Sequence, residues 1–194
     1  MILGSHNSWS YLPAKKWWMT PFKFVAKCQN INIRDQYNIY NVRCFDLRIR
    51  FNDKNELTVA HGLMEYKISE SQLLDDLQWL NNQKDTVYIR IIHEARNKKQ
   101  YTEQSKENFI KFILAQNNKF SNLKFWCGRN LYNWEFDFYF GPEPTCEEKY
   151  SSVCPPKLLD DWYPRIYAEL NNKKILKEGT DKEILLIDFV NYGH

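Results

Sequence analysis

The chain has 194 residues, 43% of them hydrophobic, a length that favours one domain with a single buried core. Its 27 Lys and Arg residues and 24 Asp and Glu residues leave a net charge of +3. That charge is too small to imply a nucleic-acid partner and accounts only for a mild attraction to anionic surfaces. No apolar run approaches the roughly 18 residues of a transmembrane span.

These features predict a single domain, residues 1–194, that acts as a monomer. Met1 is not followed by the basic and apolar regions of a signal peptide. We therefore expect a cytoplasmic protein, or a secreted or peripheral membrane protein if a signal peptide has been removed. The five cysteines show no C-x-x-C spacing that would indicate zinc or redox chemistry. Cys146 and Cys154 could form a disulfide in an exported protein, whereas free thiols fit a reducing compartment.

The first predicted strand is the short apolar run that starts at Ile2 and leads through Gly4 to His6. Gly4 would allow a tight turn of the backbone just before His6. The next stretch, residues 9–24, combines many aromatic side chains with lysines. It has two interpretations: a surface for lipid headgroups with Trp17 and Trp18 at the interface, or a roof of buried rings over one end of the fold.

A second strand is predicted over residues 41–51, because apolar and polar side chains alternate with a period of two. One face is apolar, and the other carries an acid between two bases. The apolar face holds Phe45, Leu47, Ile49 and Phe51, and the polar face holds Cys44, Asp46, Arg48 and Arg50. Such a strand could simply expose its charged face to water.

A third short apolar run, residues 57–61, ends in His61 and Gly62, much as the first run leads to His6. Two histidines, Asp46 and Arg48 therefore lie at or near the carboxyl ends of three predicted strands. In a (β/α) barrel these ends form one rim, where catalytic groups collect. The sequence thus predicts that these four side chains meet.

The next elements follow clear local signals. Ser69 to Gln72 form a capping box before a leucine stripe, which predicts a helix over residues 70–81. A strand follows at 85–94. Its even positions place Glu94 at the rim and Arg90 inside, as the partner that neutralises Asp46, whereas His93 points the other way and is either structural or on the surface.

The rest of the chain supplies the remaining elements of an α/β fold. We predict a helix at 102–117, strands at 123–129 and 135–140, and a loop at 143–156. We predict a helix at 157–171 that Pro164 interrupts, and we recognise no seventh strand. A last strand is predicted at 183–190, with Asp188 near its end. Because (β/α) barrels have typically about 250 residues, we expect a small, trimmed or distorted TIM-type barrel with some helices reduced to loops.

The segments Gly4-Ser5-His6-Asn7-Ser8, Val42 to Arg48 and Ala60-His61-Gly62, in this order, resemble the X-domain of phosphatidylinositol-specific phospholipase C. The resemblance is strongest to the small bacterial, metal-independent form, and residues 184–191 are similar to the family's last barrel strand. It implies cleavage of phosphatidylinositol, or its glycosylated form, to diacylglycerol and a cyclic inositol phosphate. It also implies a phospholipid headgroup as the substrate and a peripheral membrane surface as the partner.

The resemblance implies a role for each matching residue. His6 corresponds to the general base, His61 to the general acid, Asp188 to the acid that orients the base, and Asp46 and Arg48 to the pair beside the phosphate. Arg48 occupies the position of a calcium ligand in the eukaryotic relatives, so no metal and no cofactor are expected. The implied headgroup contacts are Asn7, Glu94, Arg129, Asp137 and Tyr139.

Asn7 departs from the bacterial pattern, which has an aspartate hydrogen-bonded to the second histidine. An amide can accept a hydrogen bond from His61 but cannot raise the pKa of that histidine through charge. Asn7 and Asp46 could also leave a residual metal site. Two alternatives therefore stay open: a related enzyme for another glycero- or sphingo-phosphodiester, and a barrel that binds an anionic headgroup without cleaving it.

Overall fold

The computed structural model describes residues 1–51, 54–94, 102–127, 144–151 and 163–193. Within these ranges the strands are β1 (Ile2–Ser5), β2 (Cys44–Phe51), β3 (Leu57–His61), β4 (Met64–Glu65), β5 (Val87–His93), β6 (Leu123–Cys127), β7 (Cys146–Lys149) and β8 (Ile184–Ile187). The α-helices are α1 (Ile33–Asn38), α2 (Glu70–Asn81), α3 (Glu103–Lys119) and α4 (Pro164–Glu178). Short 3-10 helices cover Trp17–Val25 and Val190–Tyr192. None of the described helices is both long and apolar enough to span a membrane.

Six parallel strands form the central sheet in the order β7, β8, β1, β2, β5, β6. This sheet is curled into part of a barrel, so the prediction of a trimmed TIM-type barrel is confirmed. The chain between β6 and β7 includes the predicted strand at 135–140, which lies outside the described residues. In the register of the sheet, Gly4 pairs with Cys44 and Asp46 pairs with Arg90.

The sheet has two different faces because side chains alternate along each strand. The outer face of β2 packs against the helices, with Phe45 and Leu47 completely buried in the main apolar core. The inner face holds a small cluster of Cys44, Trp126, Ile184 and Leu186. Above this cluster the inner face becomes polar and carries Asp46 and Arg90. The alternation in residues 44–51 therefore separates the core from a charged interior.

His61 reaches the rim by a route that the sequence analysis did not predict. β3 is antiparallel to β2, with Ile49 opposite Val59 and Phe51 opposite Leu57. β2 therefore extends past its pairing with β1, and β3 folds back along this extension. His61 arrives beside the rim from outside the barrel, rather than at the carboxyl end of another parallel strand.

Three local expectations need correction. β7 forms within the predicted loop at 143–156 and pairs along the whole of β8. Pro164 does not interrupt a helix but begins α4, where its missing N–H costs nothing. Gly4 is needed for close approach rather than for a turn, because a Cβ atom there would lie 2.5 Å from Leu186 Cδ2 and 3.1 Å from Cys44 Cβ.

The aromatic stretch after β1 divides into a buried and an exposed part. Trp9 is fully buried and donates from Nε1 to Asp76 Oδ2 over 3.0 Å. The 3-10 helix leaves Trp17 81%, Trp18 53%, Phe22 58% and Phe24 52% exposed. The interpretation of these rings as a buried roof is therefore wrong for residues 17–24.

Candidate active site

His6 lies directly after β1 and is hydrogen-bonded through both ring nitrogens. Nδ1 is 2.7 Å from Asp188 Oδ1, and Nε2 is 2.7 Å from an Nη2 nitrogen of Arg48. A guanidinium has only donors, so Nε2 must be the acceptor and carry a lone pair. Nδ1 then carries the proton and donates it to Asp188. This arrangement fixes the tautomer that a general base needs.

Asp46 and Arg48 form the charged centre of the site. Asp46 is fully buried, and its Oδ2 accepts hydrogen bonds from Arg48 Nε and from the backbone N–H of Asn7, each 2.9 Å long. Arg90 Nε lies 3.8 Å from Asp46 Oδ1, which confirms the internal ion pair predicted from the strand alternation. Arg90 also pairs with Glu148 on β7.

Glu94 joins the end of β5 to the loop after His61. Its Oε1 accepts from the N–H of Gly62 at 2.7 Å, and its Oε2 lies 3.5 Å from Arg48 Nη1. Gly62 has a φ of 55°, a left-handed conformation that glycine adopts without strain. Glu94 thus lies at the rim as predicted, where it positions both Arg48 and the loop that carries His61.

His61 faces His6 across the site. The two ring centroids are 5.6 Å apart and the rings are nearly perpendicular, at 89°. His61 Nδ1 donates to the carbonyl of Ala26 at 3.0 Å, not to the Asn7 amide as the sequence analysis considered. Asn7 contributes its backbone instead, in a left-handed conformation with φ 44°. Both polar atoms of the Asn7 side chain are buried without a hydrogen-bond partner among the described residues, so the hydrogen bond considered between Asn7 and His61 does not form.

Burial and neighbouring charges shift the pKa values of the site. Burial, followed by Arg48, lowers the pKa of both His6 and His61, so His6 is neutral and ready to accept a proton. Burial raises the pKa of Asp188. Burial alone would also raise the pKa of Asp46, but Arg48 and Arg90 outweigh it and hold that pKa below its usual value.

Tyr150, which no sequence motif singled out, covers one face of the His6 ring. Its ring stacks on His6 with centroids 3.7 Å apart and an angle of 5° between the planes. Its hydroxyl donates to Glu148 Oε2 at 2.5 Å, and Glu148 in turn pairs with Arg90. Tyr150 therefore closes that face of the ring, and a group that gives a proton to His6 must reach Nε2 in the plane of the ring. This contact was missed because β7 was not predicted.

Buried amide side chains brace the backbone on both sides of His6. Gln29 Nε2 donates to the carbonyls of His6 and Ile187, each at 3.1 Å, and Asn172 Nδ2 donates to the Asp188 carbonyl at 2.8 Å. Ser8 joins the first loop to β2, because its Oγ accepts from the Asp46 N–H at 2.8 Å. Ser8 belongs to the first motif, but Gln29 and Asn172 lie in segments without any motif, so sequence offered no signal for them.

The structure does not fit the residual calcium-like site considered for Asn7 and Asp46. Asp46 Oδ2 already accepts from the Asn7 N–H and from Arg48, whose guanidinium would repel a cation placed there. Within the described residues, the group that could hold a metal ion is a different one, formed by His6, Cys28 and His61. The predicted headgroup contacts Arg129, Asp137 and Tyr139 lie outside the described residues.

Comparison with solved structures identifies the fold. No protein-family model and no curated protein sequence matches the chain. The phosphatidylinositol-specific phospholipase C of Listeria monocytogenes superposes with a TM-score of 0.67 and 16% identity, over 99% of this chain and 89% of that chain. A double mutant of the Staphylococcus aureus enzyme gives a TM-score of 0.65 and 17% identity, over 97% of this chain and 84% of that chain. A structure concerned with membrane binding by the S. aureus enzyme gives a TM-score of 0.56 and 15% identity, over 97% of this chain and 85% of that chain. The chain therefore has the barrel fold of the bacterial phosphatidylinositol-specific phospholipases C.

Proposed function

We propose that the protein is a phosphodiesterase that cleaves phosphatidylinositol, or its glycosylated form, by general base and general acid catalysis without a metal ion. The observation that carries this proposal is the meeting of two imidazoles, the buried one of His6 and the half-buried one of His61, with ring centroids 5.6 Å apart around one guanidinium. A phosphodiester needs a base for the attacking hydroxyl, an acid for the leaving oxygen and a cation on the phosphoryl oxygens. His6, His61 and Arg48 supply one each.

His6 Nε2 takes the proton from the inositol 2-hydroxyl, whose oxygen attacks phosphorus and forms the cyclic phosphate. The bond between phosphorus and the diacylglycerol oxygen breaks, and His61 donates a proton to that oxygen. Asp188 accepts from His6 Nδ1 at 2.7 Å and stabilises the imidazolium that forms. Because burial and Arg48 lower the pKa of His61, the bound phosphodiester has to help protonate it by placing negative charge nearby.

Arg48 takes the place that a metal ion fills in metal-dependent phosphodiesterases. Its side chain is held by Asp46 Oδ2 at 2.9 Å and by Glu94 Oε2 at 3.5 Å, so the fork is preorganised before substrate arrives. A fixed guanidinium can stabilise the developing negative charge without reorganisation. We therefore infer that turnover needs no added divalent cation.

The exposed rings of the 3-10 helix are the candidate membrane surface. The helix runs directly into Ala26, whose carbonyl contacts His61, so this surface adjoins the rim. Trp17 is its most exposed member and Trp18 follows it in the chain, and Lys16 and Lys23 add positive charge. Indole rings beside lysines suit the boundary between headgroups and acyl chains.

The decisive experiment incubates the protein with phosphatidylinositol vesicles, with and without EDTA, and identifies products by phosphorus NMR. We expect a cyclic inositol phosphate under both conditions. His6→Ala and His61→Ala should each lower kcat by about 10²–10⁴-fold, and His194→Ala, a histidine with no proposed role, should match the unmodified protein.

Full activity of either site variant would contradict the assigned roles. Vesicle binding without any hydrolysis by the unmodified chain would favour the headgroup-binding alternative. Hydrolysis of glycerophosphodiesters or sphingolipids in preference to phosphatidylinositol, in a substrate panel, would keep the mechanism but change the substrate.

A further inference from the structure

The rim contains a thiol that the proposed reaction does not use. Cys28 is completely buried, and its Sγ lies 3.8 Å from His61 Nδ1. Cys28 Sγ and one ring nitrogen from each of His6 and His61 all lie within 4.8 Å of one another. The three residues are far apart in the sequence, so no spacing motif marks them as a group.

We propose that His6, Cys28 and His61 form a binding site for a thiophilic divalent cation such as Zn²⁺, and that its occupancy switches the phosphodiesterase off. The inhibitory effect rests on the proposed function, whereas the binding of the ion does not. The proposed reaction itself remains independent of metal.

The spacing of the ligand atoms suits a tetrahedral ion. With Zn–S near 2.3 Å and Zn–N near 2.0–2.1 Å, a sulfur and a nitrogen on one tetrahedral zinc are about 3.6 Å apart. The 3.8 Å between Cys28 Sγ and His61 Nδ1 is close to that value. Small side-chain rotations bring the other two pairs, which lie within 4.8 Å, to the same range. Three protein ligands leave the fourth position open to water or to a phosphoryl oxygen.

His61 can turn to a metal without leaving a buried acceptor unpaired. Its Nδ1 donates to the carbonyl of Ala26 at 3.0 Å, but that carbonyl also accepts from the Tyr66 hydroxyl at 2.7 Å. If His61 releases the carbonyl, Tyr66 still satisfies it. The loss of this one hydrogen bond is therefore a small cost beside a new metal–ligand bond.

His6 is already oriented as metal-ligating histidines usually are. Asp188 holds its Nδ1, and a carboxylate on the far nitrogen orients the ring and raises the basicity of the nitrogen that binds the ion. Nε2 is the lone-pair nitrogen and faces Arg48. Arg48 can release Nε2 because it retains Asp46 and Glu94 as partners.

The charge of the site permits an added cation in spite of the guanidinium. Among the described residues, the ion-pair network that includes His6 contains two guanidiniums and four carboxylates, namely Arg48, Arg90, Asp46, Glu94, Glu148 and Asp188. When the ion binds, the Cys28 thiol loses its proton to solvent and becomes the thiolate ligand. The site then gains a single positive charge, and carboxylates outnumber guanidiniums there.

Occupancy would remove both proton-transfer groups at once. When the ion binds His6 Nε2, it occupies the lone pair that would accept the hydroxyl proton. The same ion binds a ring nitrogen of His61, so His61 can no longer donate a proton to the leaving oxygen. A chelator should therefore restore activity to zinc-treated protein, whereas it leaves metal-free protein unchanged.

The test uses full-length protein first treated with EDTA and then freed of it. Zn²⁺ affinity is measured by calorimetry, and Co²⁺ is added as a spectroscopic probe, because a thiolate ligand produces an intense charge-transfer band. The variants are Cys28→Ala and the matched control Cys44→Ala. Cys44 is equally buried, but it lies at the start of β2, away from the rim. We expect Cys28→Ala to weaken Zn²⁺ binding by roughly 100-fold or more, beyond the loss of about 10–100-fold typical of outer-shell changes, and the control to keep its affinity.

Turnover of each variant is compared with and without Zn²⁺, so any change in basal activity cancels. The unmodified chain and Cys44→Ala should lose activity with Zn²⁺ and regain it with EDTA, whereas Cys28→Ala should resist. Equal Zn²⁺ affinity in Cys28→Ala and the unmodified chain would overturn the site. Absence of a thiolate band with Co²⁺ in the unmodified chain would overturn it too, even if Cys28→Ala fails to fold. If the chain cleaves no phosphodiester at all, the proposed function fails, and the binding data still decide the metal site.

Discussion

His6 owes its tautomer and its orientation to the three groups that surround it. Arg48 accepts no hydrogen bonds and so forces a lone pair onto Nε2, Asp188 holds the proton on Nδ1, and Tyr150 stacks on one face. None of these partners is close to His6 in sequence. The tautomer, the orientation and the accessible side of the ring are each set by a different element of the fold.

Asp188→Asn tests the orientation of the base. An amide can donate to His6 Nδ1 through its NH₂ group and thereby favour the His6 tautomer that carries the proton on Nε2. In that tautomer Nε2 cannot accept a proton from the substrate. We expect kcat to fall by about 10²–10⁴-fold with little change in KM. Asp181→Asn, at a carboxylate on the surface, is the control and should leave kcat within about twofold. A loss confined to KM would instead assign Asp188 to substrate binding.

Arg48→Lys tests whether the fork, rather than the charge alone, is needed. A lysine cannot bridge Asp46 and His6 at the same time as it contacts the phosphate, so we expect kcat to fall by about 10²–10³-fold. Arg43→Lys is the matched control: Arg43 lies just before β2 and pairs with Asp85 at 2.8 Å on the surface. Steady-state kinetics on vesicles measure both. Comparable activity of Arg48→Lys and the unmodified chain would show that a point charge suffices.

At the scale of elements, the strands that hold the site are fixed by helices that pack on the outer face of the sheet. His93, on β5, is buried and meets the Phe109 ring of α3 edge-on, with centroids 5.2 Å apart. Burial, followed by the charge of Arg50, lowers the pKa of His93 to about 4, while Glu94 acts in the opposite direction. The structural role predicted for His93 thus has a consequence for stability.

Below pH 6.5 the unfolded chain protonates His93, whereas the folded chain does not until about pH 4. The free energy of unfolding should therefore fall as pH falls through this interval, by up to about 3 kcal/mol from this group. Urea unfolding at several pH values should show a shallower fall for His93→Leu. Ile175→Val, in the part of the core covered by α4, loses packing without a titrating neighbour of this kind and should destabilise the protein equally at each pH. An unchanged pH dependence in His93→Leu would show that folding does not lower the pKa of His93.

At the scale of the whole molecule, the exposed aromatic helix adjoins the rim that holds the two histidines. Leu63, 61% exposed, follows the His61-Gly62 turn, and Lys16, Trp18, Met19, Leu63 and Glu65 line a surface pocket of about 140 Å³ between the two. Apolar side chains next to the site mouth would let a lipid headgroup enter while its acyl chains stay in the bilayer.

Trp17→Ala combined with Trp18→Ala should weaken binding to phosphatidylinositol vesicles by at least about tenfold, because each large apolar side chain contributes about 1.5–3 kcal/mol when buried. Sedimentation with vesicles measures the partitioning. Turnover of a short-chain, water-soluble substrate should stay within about twofold, since the site is untouched. Ile39→Ala, at an equally exposed apolar residue just before β2, is the control. Equal vesicle binding by the double variant and the control would exclude this surface as the membrane contact.

Local signals in the sequence determined much of the fold. The capping box at Ser69 and Gln72 and the leucine stripe placed α2 at its observed bounds, and the alternation in β2 separated the core face from the charged face. Both signals arise from residues within a few positions of one another, where geometry follows directly from the chain. The remaining site residues were predicted from the family resemblance, which rests on short motifs around His6, Asp46 and His61.

Only the tertiary structure decided how distant segments meet. β7 is paired with β8 although its sequence, Cys-Glu-Glu-Lys, carries no strand pattern, because the pairing partner supplies what local propensity lacks. The return of β3 along β2, the stacking of Tyr150 on His6 and the approach of Cys28 to both histidines all depend on the pairing and curling of the sheet. Such contacts join residues far apart in the chain, and their energies exist only after the barrel has formed.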